Sequence, residues 1–215
     1  MSSSDRNDKL KIFYVSLQRC GTKSFGEFFR RNGYAVASWP EASKFGWIEK
    51  TLTQGQLRWL VESESLNAYS AFEDGPWFDL AVIRYLYWYC PNSRFVYFHR
   101  PVEDWFKSML AHSKGAIIGN PKRHCTIYNR LAEYYAAVEK GDPKPRLPMA
   151  GHFEHYKTQF ENQALQVRAF FEDKPADRFF FGELYDKDKW VKLDQRMNLQ
   201  LTELADVHVN RTVTA

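Results

Sequence analysis

Three short stretches of this 215-residue chain carry residues that together could hold anions. In "SLQRCGTKSF" (residues 16–25) Gly21 lets the backbone come close to a ligand, Thr22 and Ser24 offer hydroxyl donors, and Arg19 and Lys23 add positive charge. If a helix begins at Thr22, its unpaired N–H groups and the positive end of its dipole face the same point. The stretch "AFEDGP" ends on two carboxylates, Glu73 and Asp74, before Gly75 and Pro76 break the chain. In "FHRPVEDWFKSM" Arg100 precedes Pro101, and Ser108 lies two helical turns beyond Pro101 on the same face, where it can help Arg100 grip one anion. Each group also has a plainer reading: a capped strand-to-helix turn, Arg100 paired with Glu103 or Asp104, and an exposed Ser108.

The elements that must position these residues can be read from periodicity. A strand is expected over Lys11–Leu17, followed by a helix with Phe25, Phe28 and Phe29 at helical spacing and Gly33 as its C′ residue. "YAVAS" reads as a second strand. Residues 41–65 read as an interrupted helix, with Thr53 the N-cap of its second half. "AYSAFEDGP" is a short strand, "WFDLAVIRYLYWYC" a helix closed by Pro91 and Asn92, and "RFVYFHR" another strand. Pro101 is expected at the first position of the next helix. Residues 121–140 read as helical, "GDPKPRLP" as a loop, and 152–173 as a helix with Phe153, Tyr156, Phe160, Leu165, Val167 and Phe171 near one face. The strand "DRFFFGEL", a final helix and an irregular tail complete the chain. Strands alternating with helices predict an α/β fold with a mainly parallel central sheet flanked by helices. In such a sheet the three loaded stretches all end at the carboxyl edge, where ligands bind. Two separated anion grips imply a ligand with two phosphate ends.

Composition narrows the classes. The chain is 44% hydrophobic, 17% aromatic and 26% charged, which describes a globular protein, and its length suits one domain, 1–215, with residues 1–9 a frayed leader. A net charge of +4, with basic residues scattered, argues against nucleic acid and suits a local pocket for a small polyanion. Three widely spaced cysteines fit neither a disulfide framework nor a zinc cluster. With a polar N-terminus and no run of eighteen apolar residues, the expectation is a cytoplasmic protein that does not enter a membrane.

The loop at Gly21 fails the triphosphate pattern GxxxxGK[ST]: aligning Gly21 with the second glycine puts Ser16 at the first and Thr22 at the lysine. It resembles instead the 5′-phosphosulfate loop of P-loop sulfotransferases, which move a sulfonyl group from 3′-phosphoadenosine 5′-phosphosulfate. "FVYFHRPVEDWFKSM" is similar to that family's 3′-phosphate motif, with Arg100 and Ser108 at its spacing. "FEDGPWFDLAVIRYLYWYCPNSRFVYFHR" and the order of the C-terminal elements resemble a bacterial and fungal branch, so the resemblance covers nearly the whole chain.

The resemblance implies a three-layer P-loop-type fold and a sulfotransferase using that donor, with no metal required. It implies Arg19, Cys20, Gly21, Thr22, Lys23 and Ser24 around the 5′ end and Arg100 with Ser108 at the 3′ end. Arg211 would stand in for a glycine-rich C-terminal loop that animal members have and this chain lacks. Arg19 would stabilise the leaving oxygen, and Asp74, with Glu73 second, would serve as the base for a hydroxyl or amine acceptor, a small molecule or sugar. Trp39, Trp47, Trp77 and Phe78 could wall the acceptor pocket or fill the core. His99, His112 and His208 are weaker candidates for the base. The rival readings are a kinase or other P-loop enzyme using ATP and Mg²⁺, with "AFED" holding the metal, and a nucleotide-binding protein without turnover. The sequence leaves the oligomeric state open.

Overall fold

The computed structural model describes residues 9–113, 139–141 and 150–207. All but the last two residues of the helix expected over 121–140, most of the "GDPKPRLP" loop, His208 and Arg211 lie outside them. Two compact units are distinguished, residues up to 100 together with those from 166 onward, and residues 101–165.

The first unit is built on an all-parallel sheet of five strands: β1 (Lys11–Tyr14), β2 (Val36–Ala37), β3 (Ala71–Phe72), β4 (Ser93–His99) and β5 (Phe179–Glu183), in the order β2-β3-β1-β4-β5. Its helices, in chain order, are α1 (Thr22–Arg31), α2 (Trp39–Lys44), α3 (Leu57–Glu62), α4 (Glu64–Asn67) and α5 (Leu80–Tyr89). Then come α6 (Val102–Ser113), in the second unit, α7 (Phe153–Phe171), and α8 (Lys189–Met197) in the first. The chain leaves β1 on one side for β2 and β3 and crosses to the other for β4 and β5, so the loop after β1 sits at the point where the strand order reverses.

Both faces of the sheet are covered, which is why its strands read as continuous apolar runs. On one face Ile12, Tyr14, Ala71, Val96, Phe98 and Phe180 pack with Phe25, Phe28 and Phe29 of α1 and with Trp190 and Leu193 of α8. On the other, Phe13 stacks on Phe72 with ring centroids 4.6 Å apart and touches Trp77 at 5.1 Å, while Phe95 meets Phe171 at 5.1 Å. The tail after α8 is strapped across α1: Asn32 Nδ2 donates to the Glu203 carbonyl at 2.9 Å, and Asn32 Oδ1 accepts from the Thr202 and Glu203 amides. In the second unit, Trp105 packs on Phe160 at 4.6 Å and Phe106 on Phe153 at 5.1 Å.

Four expectations change in detail. β1 ends at Tyr14 rather than Leu17, because the Ser16 hydroxyl, not a backbone carbonyl, accepts from the Phe98 amide at 2.9 Å and the chain leaves the ladder there. Thr53 caps no helix. Residues Glu49–Thr53 form a π-helical turn, Gly55 takes a φ of 65°, and α3 starts after Gln56. Leu165 is 66% exposed and Ala164 fills the apolar stripe in its place, since steps of three and four from Phe160 reach 164 and 167. Helix α6 begins at Val102, with the Pro101 carbonyl taking its first bond from the Trp105 amide at 2.9 Å, one residue later than expected.

Among the described residues no helix is long and apolar enough to cross a membrane. Trp190 joins three elements of the first unit: it stacks on Phe28 at 3.9 Å, meets Phe98 edge-on at 5.1 Å, and its Nε1 donates to Asp206 at 3.1 Å. Trp190→Ala is therefore expected to cost about 3–5 kcal/mol in urea unfolding. A loss under about 1 kcal/mol, the range of an ordinary surface change, would remove Trp190 from its anchoring role.

Candidate functional site

The loop between β1 and α1 is shaped by its carbonyls. The Tyr14 hydroxyl donates to the Cys20 carbonyl, and Arg100 Nη1 donates to the Arg19 carbonyl at 2.7 Å. With those two oxygens held from the sheet side, Arg19 takes a φ of 69° and Gly21 one of 92°, and α1 begins at Thr22. A Cβ at Gly21 would also come within 2.6 Å of Leu184 Cδ1, at the end of β5. The first bond of α1 runs from the Phe25 amide to the Gly21 carbonyl, and Gly21 supplies no side-chain cap. The opening amides of α1 have no carbonyl four residues back within the helix to bond, the arrangement that favours an anion.

Arg19, Arg100 and Asp74 share one electrostatic neighbourhood at the carboxyl ends of β1, β4 and β3. Burial, then repulsion from Arg100, lowers the Arg19 guanidinium's pKa, and Asp74 opposes this. Asp74 is half-buried and takes a φ of 47°. Around the loop, Thr22 is half-buried, Lys23 exposed and Ser24 buried. Cys20 is fully buried and its thiol is pushed up to about 12 by that burial, so only its backbone can face a ligand.

Glu73 and Asp74 separate. Successive residues at a strand end point to opposite faces, and Glu73 turns beneath α1. Its Oε1 accepts from Arg30 Nη2 at 3.1 Å, and a Cβ on Gly26 would lie 2.4 Å from its carboxyl carbon. Glu73 is 4% exposed and its Oε2 has no hydrogen-bond partner. It underpins α1 rather than lining the open edge.

Of the aromatic candidates, Trp47 and Trp77 are fully buried and Phe78 nearly so; they are core. Trp39, 37% exposed just beyond β2, is the one that meets solvent. His99 is half-buried with Nδ1 3.2 Å from Glu183 Oε2, and so is a paired strand-end histidine rather than a buried one. Ser108 is buried on α6 and His112 exposed in its last turn, both in the second unit.

Sequence reasoning passed over Tyr185. It follows β5, is 53% exposed, and its hydroxyl accepts from Arg100 Nε at 3.1 Å. Its place at the carboxyl end of a strand, the position that singled out Asp74 and Arg100, was the available signal. Among the described residues no group of three or more His, Cys, Asp or Glu could hold a metal ion.

Burial raises the Glu73 carboxyl from 4.5 to about 7. Between those values the folded protein holds a proton that the unfolded chain has released, so this residue's contribution to stability is full below 4.5 and is lost as pH rises toward about 7. The shift corresponds to roughly 3 kcal/mol. Denaturant unfolding at a series of pH values should show wild-type stability falling across this window and Glu73→Gln falling less. Parallel curves for the two proteins would show that Glu73 does not titrate there.

No curated protein matches the chain. A family model does: the sulfotransferase domain matches residues 11–193, from the start of β1 through most of α8. That span takes in the left-handed turn at Arg19, the carboxylates after β3, Arg100 and Tyr185, and the chain belongs to the sulfotransferase family, a family of transferase enzymes.

Proposed function

We propose that the enzyme takes its sulfonyl group from 3′-phosphoadenosine 5′-phosphosulfate and passes it to a hydroxyl or amine of a small-molecule or sugar acceptor. The observation that carries this reading is the hydrogen bond between Arg100 and the Arg19 carbonyl, which brings two guanidinium-bearing strand ends around one helix N-terminus. A donor with anionic groups at both ends suits that concentration of charge. The opening amides of α1 with Thr22, Lys23 and Ser24 would hold the 5′ end. Arg100 would take the 3′-phosphate, with Ser108 assigned beside it by sequence spacing alone. Arg211 keeps the same standing, as an expectation from sequence.

The acceptor oxygen or nitrogen attacks sulfur, the bond from sulfur to the bridging oxygen breaks, and the bisphosphate nucleotide leaves with the electron pair. Arg19 would offset charge growing on that oxygen, electrostatic stabilisation of a developing anion. Asp74 takes the acceptor's proton. It is half-buried and interacts with Arg19, so a carboxylate lies next to the cation assigned to the leaving oxygen. Glu73, paired with Arg30 under α1, supports the loop from below. That engagement also leaves Asp74 alone to serve the Mg²⁺ role of the rival ATP-dependent reading.

Thermal shift separates the donors. 3′-Phosphoadenosine 5′-phosphate at about a hundred times its Kd should stabilise the protein by roughly 2.7 kcal/mol, and ATP with Mg²⁺ or AMP at the same concentration by much less. Stabilisation by ATP with Mg²⁺ and none by the bisphosphate would reject the donor. Asp74→Asn should leave bisphosphate affinity within about threefold and lower turnover by ~10²–10⁴. Full activity of that variant would remove Asp74 as the base. Arg19→Ala should lower kcat by ~10²–10³.

A further inference from the structure

Arg100 is tied at two points. Nη1 donates 2.7 Å to the Arg19 carbonyl on the β1 loop, and Nε donates 3.1 Å to the Tyr185 hydroxyl beyond β5, with the guanidinium carbon 5.9 Å from the Tyr185 ring centroid. The backbone around Tyr185 is itself anchored, since the Leu184 amide donates to the His99 carbonyl at 2.7 Å. One guanidinium therefore joins the ends of β1, β4 and β5, and its plane is fixed by two bonds at an angle to one another. A single bond would leave it free to swing about the Nη1–carbonyl contact.

We propose that Tyr185 is a positioning residue for Arg100, and that selectivity for a nucleotide bearing a 3′-phosphate is set through its hydroxyl. With Nε and Nη1 engaged, Nη2 is the edge that Arg100 presents to an anion. The Tyr185 hydroxyl decides where that edge points, because a planar guanidinium rewards a phosphate only in a matched orientation. This inference rests on the donor reading above. Tyr185 acts through Arg100, so its removal weakens recognition of the 3′-phosphate and leaves the rest of the nucleotide's binding in place.

The experiment is a calorimetric comparison of 3′-phosphoadenosine 5′-phosphate with AMP, which lacks the 3′-phosphate, on four proteins: wild type, Tyr185→Phe, Arg100→Ala and the double variant. Tyr185→Phe keeps the ring at an exposed position and should unfold at the wild-type midpoint. Its affinity for the bisphosphate should fall by about tenfold, the size of one hydrogen bond to a charged group, while AMP affinity stays within about twofold. In the Arg100→Ala background the same change should have no further effect on the bisphosphate. Equal loss for both nucleotides, no loss for either, or a further tenfold loss without Arg100 would overturn the proposal. If wild type shows no preference for the bisphosphate, the donor reading itself fails and Tyr185 loses its role with it.

Discussion

The hydrogen bond from Arg100 to the Arg19 carbonyl is the constraint on which the site depends. It gives the Arg19 carbonyl a charged donor, and such bonds are stronger than neutral ones, so the guanidinium at the end of β4 and the form of the turn support each other. The bond runs between strands that are neighbours in the sheet, and the register Tyr14 opposite Val96 sets how far apart their ends fall. Shifting that register by one residue would put Tyr14 opposite a residue of the other face and carry Arg100 away from the turn. Packing of the sheet and geometry of the site are therefore one requirement.

The core meets that requirement with rings. Phe13, Phe72, Phe95 and Trp77 on one face, and Tyr14, Phe25, Phe98 and Trp190 on the other, fix β1 between two layers. Tyr14 serves twice, its ring packed in this core and its hydroxyl holding the Cys20 carbonyl. Asn32 pins the C-terminal strap to α1, the helix whose other end opens at the site. The family match over residues 11–193 spans nearly all of these parts.

Much of this was legible in the sequence because glycine, proline and charge mark strand ends strongly. Gly21 after Arg19, Gly75 after Asp74 and Pro101 after Arg100 each signal where a strand gives way, and the alternation of strands and helices gives the parallel sheet. What was hidden depends on direction and on pairing across the sheet. Adjacent carboxylates look equivalent in a sequence, yet strand alternation turns Glu73 under α1 and leaves Asp74 at the edge. Leu165 and Ala164 differ by one helical position, and the larger side chain drew the wrong choice. Tyr185 meets Arg100 only because β4 and β5 are neighbours, a fact of strand order that local spacing does not carry. Its own stretch, "FFFGELYD", holds no unusual chemistry.

Two residues at the carboxyl edge, Arg19 and Asp74, have left-handed backbones, and neither is glycine. Such a conformation costs a side-chain-bearing residue of order 1 kcal/mol or more. A chain selected only for durability would put glycine at both. That arginine and aspartate stand there instead means the fold gives up some stability to keep a cation and an anion at this edge. Stability-driven redesign of this protein would target these two positions early, and in doing so would remove the two charges from the candidate site.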